Sequence, residues 1–401
     1  MGTLRTGLPH ALHDQSAPLQ SPWVVALFAA GVVLVVAAWV WYEVREPRHG
    51  FRRRWPVRVG TATLTVVLVV STCLVIVNDV AGYAPTLRAL PGMLSHNGSI
   101  PLSKAEMKQI RRFRLGAPAL RVDPRYAYVY LPPGYADRGN TERYPVVYLI
   151  HGSPGGPADW LESGNVESVM NAMIKAHEIK PAIVVMPDAS GTWARDSECL
   201  NQVRGPQDAT YLTSTVVHYV DTHYRTIRSR GGRLIGGMSS GGYCALNLGL
   251  EHLGEYSAIL AFEPYGDPGA NNVRRLLGGS FSLYRKVSPR LYIPRMRFSH
   301  RVVAFLDVGS SKGRAIARVL GLADKLRARG QVVDFRVETG QGHNWHEAAA
   351  GLPYALLFTD PGHGRSAAGN LDRSQARQVR RHLTHRRAHH VLAVARAHPT
   401  S

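Results

Sequence analysis

Acidic residues and cysteines are the scarce components of this 401-residue sequence, which holds 28 Asp and Glu against 48 Lys and Arg and only three cysteines. The acid deficit leaves a formal net charge of +20, which points to an anionic partner, either nucleic acid or an acidic membrane surface. Three cysteines exclude a scaffold knitted by several disulfides. No His/Cys cluster has metal-ligand spacing, so neither a metal nor another cofactor is implied. No internal repeat is present, which excludes solenoids and propellers. Nucleic-acid recognition motifs are also missing, so the charge alone does not make nucleic acid a partner. What is plentiful is apolar side chain, 45% of the sequence, enough for one large or two modest buried cores.

Two apolar runs bear on location. Trp23 to Tyr42, "WVVALFAAGVVLVVAAWVWY", and Val59 to Val77, "VGTATLTVVLVVSTCLVIV", are free of charged residues, and each approaches the ~20 residues that cross a bilayer as a helix. A cleaved signal peptide would have an apolar region of only about 7–15 residues before a small-residue cleavage site. The first run ends in an aromatic cluster instead. Between the runs, residues 43–58 carry arginines at 45, 48, 52, 53, 54 and 58, whereas the tail before Trp23 has only Arg5. Positive loops stay in the cytoplasm, so both termini, and everything after about residue 80, are expected outside it. Cys73 falls within the second run. Cys199 and Cys244 then lie in an oxidising compartment, where they either pair or remain two buried thiols.

The remaining chain divides by pattern. Residues 78–119 read as a juxtamembrane connector with a short helix at Ser103 to Phe113, whose Ser-x-x-Glu opening is a capping box. From 120 to 360, strand-like runs such as "YPVVYLIHG", "AIVVMPD" and "RVVAFLDVG" alternate with amphipathic helical ones. That alternation predicts an α/β domain, a mostly parallel sheet covered by helices on both faces. Residues 361–401 carry eight Arg and one Asp with little apolar content, as expected of a basic, disordered tail.

Within the α/β region, "RLIGGMSSGGYCAL" places Ser239 in the pattern Gly-x-Ser-x-Gly, between an apolar strand and a helix. This is the context of a nucleophile elbow, a sharp turn that lifts a serine hydroxyl above the sheet edge and leaves no room for side chains two residues to either side. A serine needs a base to take its proton, and in this order of elements the base follows the last strand. "VVDFRVETGQGHNWHE" supplies such a strand and then His343, preferred over His346 because it occupies the turn immediately beyond the strand.

Taken together, "YVYLPPGY", "YPVVYLIHG", "GGMSSGGY" and "GQGHNWHE" resemble the esterase D, feruloyl esterase and mycolyltransferase group of α/β-hydrolases over roughly residues 120–360. The resemblance implies Ser239 as nucleophile, His343 as general base, and an oxyanion hole made by the backbone N–H groups of Ser240 and Ser153. The third member departs from the group. Its acid normally lies about three residues beyond the glycine after the seventh strand, where "FLDVGSSKG" has Lys312. Two carboxylates remain. Glu263 ends the preceding strand 24 residues after Ser239, resembling the acid position of pancreatic-type lipases, and is preferred because it leaves its strand at the carboxyl end. Asp307 is the alternative.

A polar loop after "VVMPD", residues 189–202, is expected to overhang the same edge and to bring Trp193, Asp196 and Glu198 to the substrate. The expected activity is that of a membrane-anchored, extracytoplasmic serine ester hydrolase acting on a lipid or cell-envelope ester. An acyltransferase with the same triad and an impaired binding module are the other readings. Basic residues near anionic headgroups, together with acidic residues near Ser239, make aminoacyl-phosphatidylglycerol a candidate substrate.

Overall fold

The computed structural model describes residues 19, 21–45, 51–91, 98–311 and 313–360. Residues 46–50 of the segment between the two apolar runs, Lys312 and the basic tail 361–401 lie outside the described residues.

Eight strands form one sheet: β1 Ile110–Ala117, β2 Val122–Tyr130, β3 Val146–Ile150, β4 Ile183–Pro187, β5 Arg233–Met238, β6 Ala258–Phe262, β7 Val303–Gly309 and β8 Val332–Glu338. Their order is β1-β2-β4-β3-β5-β6-β7-β8. The first two strands pair antiparallel, β2 meets β4 antiparallel, and every later pairing is parallel. Every residue of β3, β4, β5 and β6 is buried, which is why these strands read as unbroken apolar runs rather than as alternating ones.

The helices that matter for the site are α1 Pro22–Arg45, α2 Phe51–Ala81, α3 Val166–Lys175, α4 Ser240–Glu251, α5 Ala270–Leu277, α6 Gly313–Ala328 and α7 Trp345–Thr359. Two cores result. One face of the sheet is covered by α4 and α6, whose Ile316, Val319, Leu322, Ala323 and Leu326 recur at helical spacing. The other face is covered by α3, through Val169, Met170 and Met173, and by α7, through Ala348, Leu352 and Ala355. The chain steps outward from β3 to β4 and then returns to β5 on the other side of β3. Loops leaving β3 and β5 therefore diverge, opening a crevice at the carboxyl ends of the strands, where ligands bind in open α/β sheets.

The connector expectation is corrected at one point. The Ser103–Glu106 capping box forms, with the Ser103 hydroxyl and backbone N–H both donating to Glu106 at 2.6 and 2.8 Å. It starts only a single 3-10 turn, Glu106–Lys108, after which the chain becomes β1. Ile110 is buried in one core and Phe113 stacks on Tyr219 in the other, so tertiary packing overrides the local helical signal and the sheet begins about ten residues earlier than the sequence suggested.

Helices α1 and α2 pair as a hairpin, joined by a two-point contact in which Arg58 donates to both oxygens of Glu43 at 2.8 and 2.9 Å. Segments Pro22–Val44 and Trp55–Ala81 are long and apolar enough to cross a membrane. Their outward faces expose large apolar side chains, among them Trp23, Leu27, Leu34, Val66 and Leu74.

Candidate active site

Strand β5 ends in Gly237-Met238, and the backbone then turns so sharply that Ser239 has φ 58° and ψ −116°. A non-glycine residue at positive φ is strained and persists only where its surroundings enforce it. Here they do. The Ser239 N–H donates to Phe262 O at 2.9 Å, while its carbonyl accepts the Tyr243 N–H at 2.9 Å and opens α4. The flanking glycines have a steric cause. A Cβ on Gly237 would lie 2.2 Å from the Gly241 carbonyl oxygen, and one on Gly241 would lie 2.2 Å from the Ile150 oxygen.

His343 comes from the loop between β8 and α7, and its Nε2 lies 2.6 Å from Ser239 Oγ. Its Nδ1 lies 3.2 Å from Glu263 Oε2. The other oxygen of Glu263 accepts the Gly309 N–H at 2.7 Å. Glu263 is 4% exposed, whereas the His343 side chain is 45% exposed and faces the opening. With Nδ1–H donated to the carboxylate, the Nε2 lone pair is left to accept the serine proton. A hydroxyl, an imidazole and a buried carboxylate in this sequence of contacts are equipped for nucleophilic attack with general-base assistance.

Asp307 is close by in the sheet but differently used. In the β6–β7 register it sits beside Phe262, the residue before Glu263. Its side chain is fully buried, Oδ1 accepts the Val308 N–H at 2.8 Å, and Oδ2 points at α7. A Cβ on Gly351 there would come within 2.1 Å of that oxygen. Burial, with the Glu338 carboxylate nearby, raises the Asp307 carboxyl well above the usual range. Glu347, also fully buried, is raised by burial and by Asp307. Both carboxyls are thus biased toward their protonated forms beneath the site, and the structure brings Glu263, not Asp307, to His343.

Ser153 and Ser240 line a small common cavity with Gly152, His151, Asp196 and Glu198. The buried His151, which sequence reasoning overlooked, joins the two loops around it. Its Nδ1 donates to Gly152 O at 2.7 Å and its Nε2 accepts the Ala189 N–H at 3.0 Å. Its only local signal was its position directly after β3.

Loop 189–202 is held to α4 by a disulfide between Cys199 and Cys244, 5.6 Å apart at Cα. Glu198 and Cys199 both adopt positive φ, 49° and 47°. Glu198 is pinned by the Tyr265 hydroxyl at 2.5 Å and by Asn272 Nδ2 at 2.9 Å. Burial, reinforced by Asp196, pushes its carboxyl up to about 8. Asp196 and Glu198 thus reach the cavity. Trp193 does not line it: its carbonyl accepts the Gly155 N–H at 2.8 Å and its ring is turned edge-on to Tyr83.

Comparison with known proteins gives one family and consistent relatives. The family model described as "Putative esterase" matches residues 122–349, more than half of the chain. An uncharacterized protein of Corynebacterium glutamicum is 26% identical over 291 residues, covering 68% of this chain and 65% of that protein. An esterase of Mycobacterium tuberculosis is 29% identical over 131 residues, 32% of this chain and 27% of the relative. The chain thus matches less than two thirds of the length of these relatives. Among solved structures, a ferulic acid esterase superposes with a TM-score of 0.54 at 24% identity, over 63% of this chain and 97% of that one. An S-formylglutathione hydrolase from Agrobacterium tumefaciens gives 0.54 at 18% identity, over 68% and 99%. At these identities the structural likeness establishes the α/β-hydrolase fold.

Proposed function

Since the chain belongs to the "Putative esterase" family, we propose that it is a serine ester hydrolase working through an acyl-enzyme on Ser239, anchored in a membrane by α1 and α2 with its catalytic domain outside the cytoplasm. The observation that carries the chemistry is the 2.6 Å contact of Ser239 Oγ with His343 Nε2, backed by Glu263. His343 takes the hydroxyl proton as Oγ bonds to the ester carbonyl carbon. Glu263 stabilises the imidazolium, and the N–H groups of Ser240 and Ser153 receive the developing oxyanion. Collapse of the intermediate breaks the bond to the alcohol, which leaves with the proton from His343. Water, deprotonated by the same imidazole, then releases the acid and restores Ser239.

The substrate we propose is a lipid or cell-envelope ester, with aminoacyl-phosphatidylglycerol as the specific candidate. Three features support this. The two apolar helices suit a bilayer, the Cys199–Cys244 bridge suits an oxidising compartment, and Asp196 at the cavity, joined by Glu198 once its carboxyl ionises above about 8, suits a cationic aminoacyl group. Fluorophosphonate labelling of the full chain, wild type against Ser239→Ala, tests the chemistry: only the wild type should be labelled. Lipid profiling of cells lacking the protein tests the substrate, since accumulation of an ester-modified lipid is expected. An unchanged lipid profile with a soluble envelope ester accumulating would reassign the substrate.

A further inference from the structure

Helix α2 ends at Ala81, yet the turn that follows does not swing clear of the catalytic domain. Asn78 closes the turn on itself, its side-chain amide donating to Ala84 O at 2.8 Å and its side-chain oxygen accepting the Ala84 N–H at 2.7 Å. Three hydrogen bonds then run from this short segment into two parts of the catalytic domain, the start of α7 and the loop after β3. The Val80 carbonyl accepts Asn344 Nδ2 at 3.0 Å, and the Asp79 carbonyl meets His346 Nε2 at 2.9 Å. The Tyr83 hydroxyl donates to Pro154 O at 2.7 Å. The Tyr83 ring packs edge-on against Trp193 and Trp345, at centroid distances of 6.2 and 6.3 Å.

Each receiving residue adjoins a part of the site. Asn344 follows His343 directly and also caps α7 by accepting the Glu347 N–H at 3.1 Å. Pro154 follows Ser153, and Trp193 belongs to the loop that carries Asp196 and Glu198. The packing leaves no slack: a Cβ on Gly82 would lie 3.1 Å from Trp345 Cβ and 3.2 Å from the His346 nitrogen. A mere tether between membrane and enzyme needs none of this, because exposed polar linkers serve that purpose without ordering their neighbours. Oxyanion donors, by contrast, act only when held in place before the charge develops.

We propose that the turn from Asn78 to Tyr83 is a working part of the catalytic site, and that Tyr83 is a positioning residue that fixes the Ser153–Pro154 segment so that the Ser153 N–H faces the oxyanion together with that of Ser240. The proposal rests on the serine-hydrolase chemistry above and holds whichever ester is cleaved.

The test uses the full chain in detergent micelles with p-nitrophenyl butyrate, a neutral soluble ester, so that access to a bilayer plays no part. Tyr83→Phe, which removes only the hydroxyl, is expected to lower kcat about tenfold. Tyr83→Ala is expected to lower it about 100-fold, with KM within about twofold of wild type. Affinity for a trifluoromethyl ketone, whose hemiketal oxygen occupies the same donors, should fall in parallel with kcat while the melting temperature of Tyr83→Phe stays at the wild-type value. Wild-type kcat and ketone affinity in Tyr83→Phe and Tyr83→Ala, or in Tyr83→Phe alone where the alanine variant does not fold, would overturn the proposal. Absence of fluorophosphonate labelling in the wild-type chain would instead overturn the serine-hydrolase reading beneath it.

Discussion

The two halves of the site are built in different ways. Ser239 and Glu263 stand at the ends of adjacent parallel strands, where the sheet register and steric exclusion around Gly237 and Gly241 fix them. The opposite wall, made of loop 189–202 and the turn after α2, has no sheet to lean on. It is assembled from a disulfide, two positive-φ residues and contacts between distant segments. On the proposed reading, chemistry belongs to the rigid half and substrate selection to the stapled half, a division expected when catalytic groups must be held closely while the binding surface is free to vary.

Perturbing the rigid half should produce the largest losses. Ser239→Ala and His343→Ala should each reduce kcat by about 10⁶-fold, with little further loss in the double variant, because the members act as a unit. Steady-state and single-turnover kinetics on a neutral ester would check this, and additive losses would separate the two residues. Glu263→Gln should cost about 10⁴-fold in kcat with KM nearly unchanged. Asp307→Asn should cost far less. Because the folded-state pKa of Asp307 is raised by burial, its stabilising proton is fully bound below the unfolded carboxyl value and is lost as pH rises through the folded one. The amide should therefore gain melting temperature relative to wild type as pH increases, and the reverse trend would assign Asp307 a charged role.

The stapled half should respond more mildly. The double replacement Cys199→Ser with Cys244→Ser should lower stability by about 2–4 kcal/mol in denaturant titrations. It should raise KM more than it lowers kcat, since the bridge holds the loop and not the nucleophile. An unchanged KM in a folded double variant would detach loop 189–202 from substrate binding. The smallest effect concerns Glu198, whose carboxyl titrates near 8. It is neutral below that pH and anionic above it, so KM for a cationic ester should fall as pH rises through about 8, while a neutral ester shows no such trend. Glu198→Gln should erase the difference between the two substrates.

Much of the rigid half was legible in the sequence because its signals are local. An elbow needs glycines at fixed offsets, and a histidine beyond the last strand announces itself by position. The choice between Glu263 and Asp307 was harder, because the two carboxylates lie close together on neighbouring strands and look alike in sequence. What separates them is backbone direction: Glu263 leaves its strand at φ 49°, whereas Asp307 remains inside β7, under α7. Strand β1 was misread because Ser103 and Glu106 do form their local cap, and the pairing with β2 that takes over is tertiary. The Tyr83 contact to Pro154 spans 71 positions and that of Asn344 to Val80 spans 264. No periodicity encodes such distances.

The bridge between Cys199 and Cys244 also sets a condition of time and place. Glu198 and Cys199 hold unfavourable backbone angles that the surrounding structure must enforce, and a chain with reduced thiols lacks one of those enforcements. Until the bridge closes, loop 189–202 is held to the rest of the domain by its non-covalent contacts alone. With the catalytic domain outside the cytoplasm, as proposed, closing the bridge is an oxidation that accompanies arrival in that compartment.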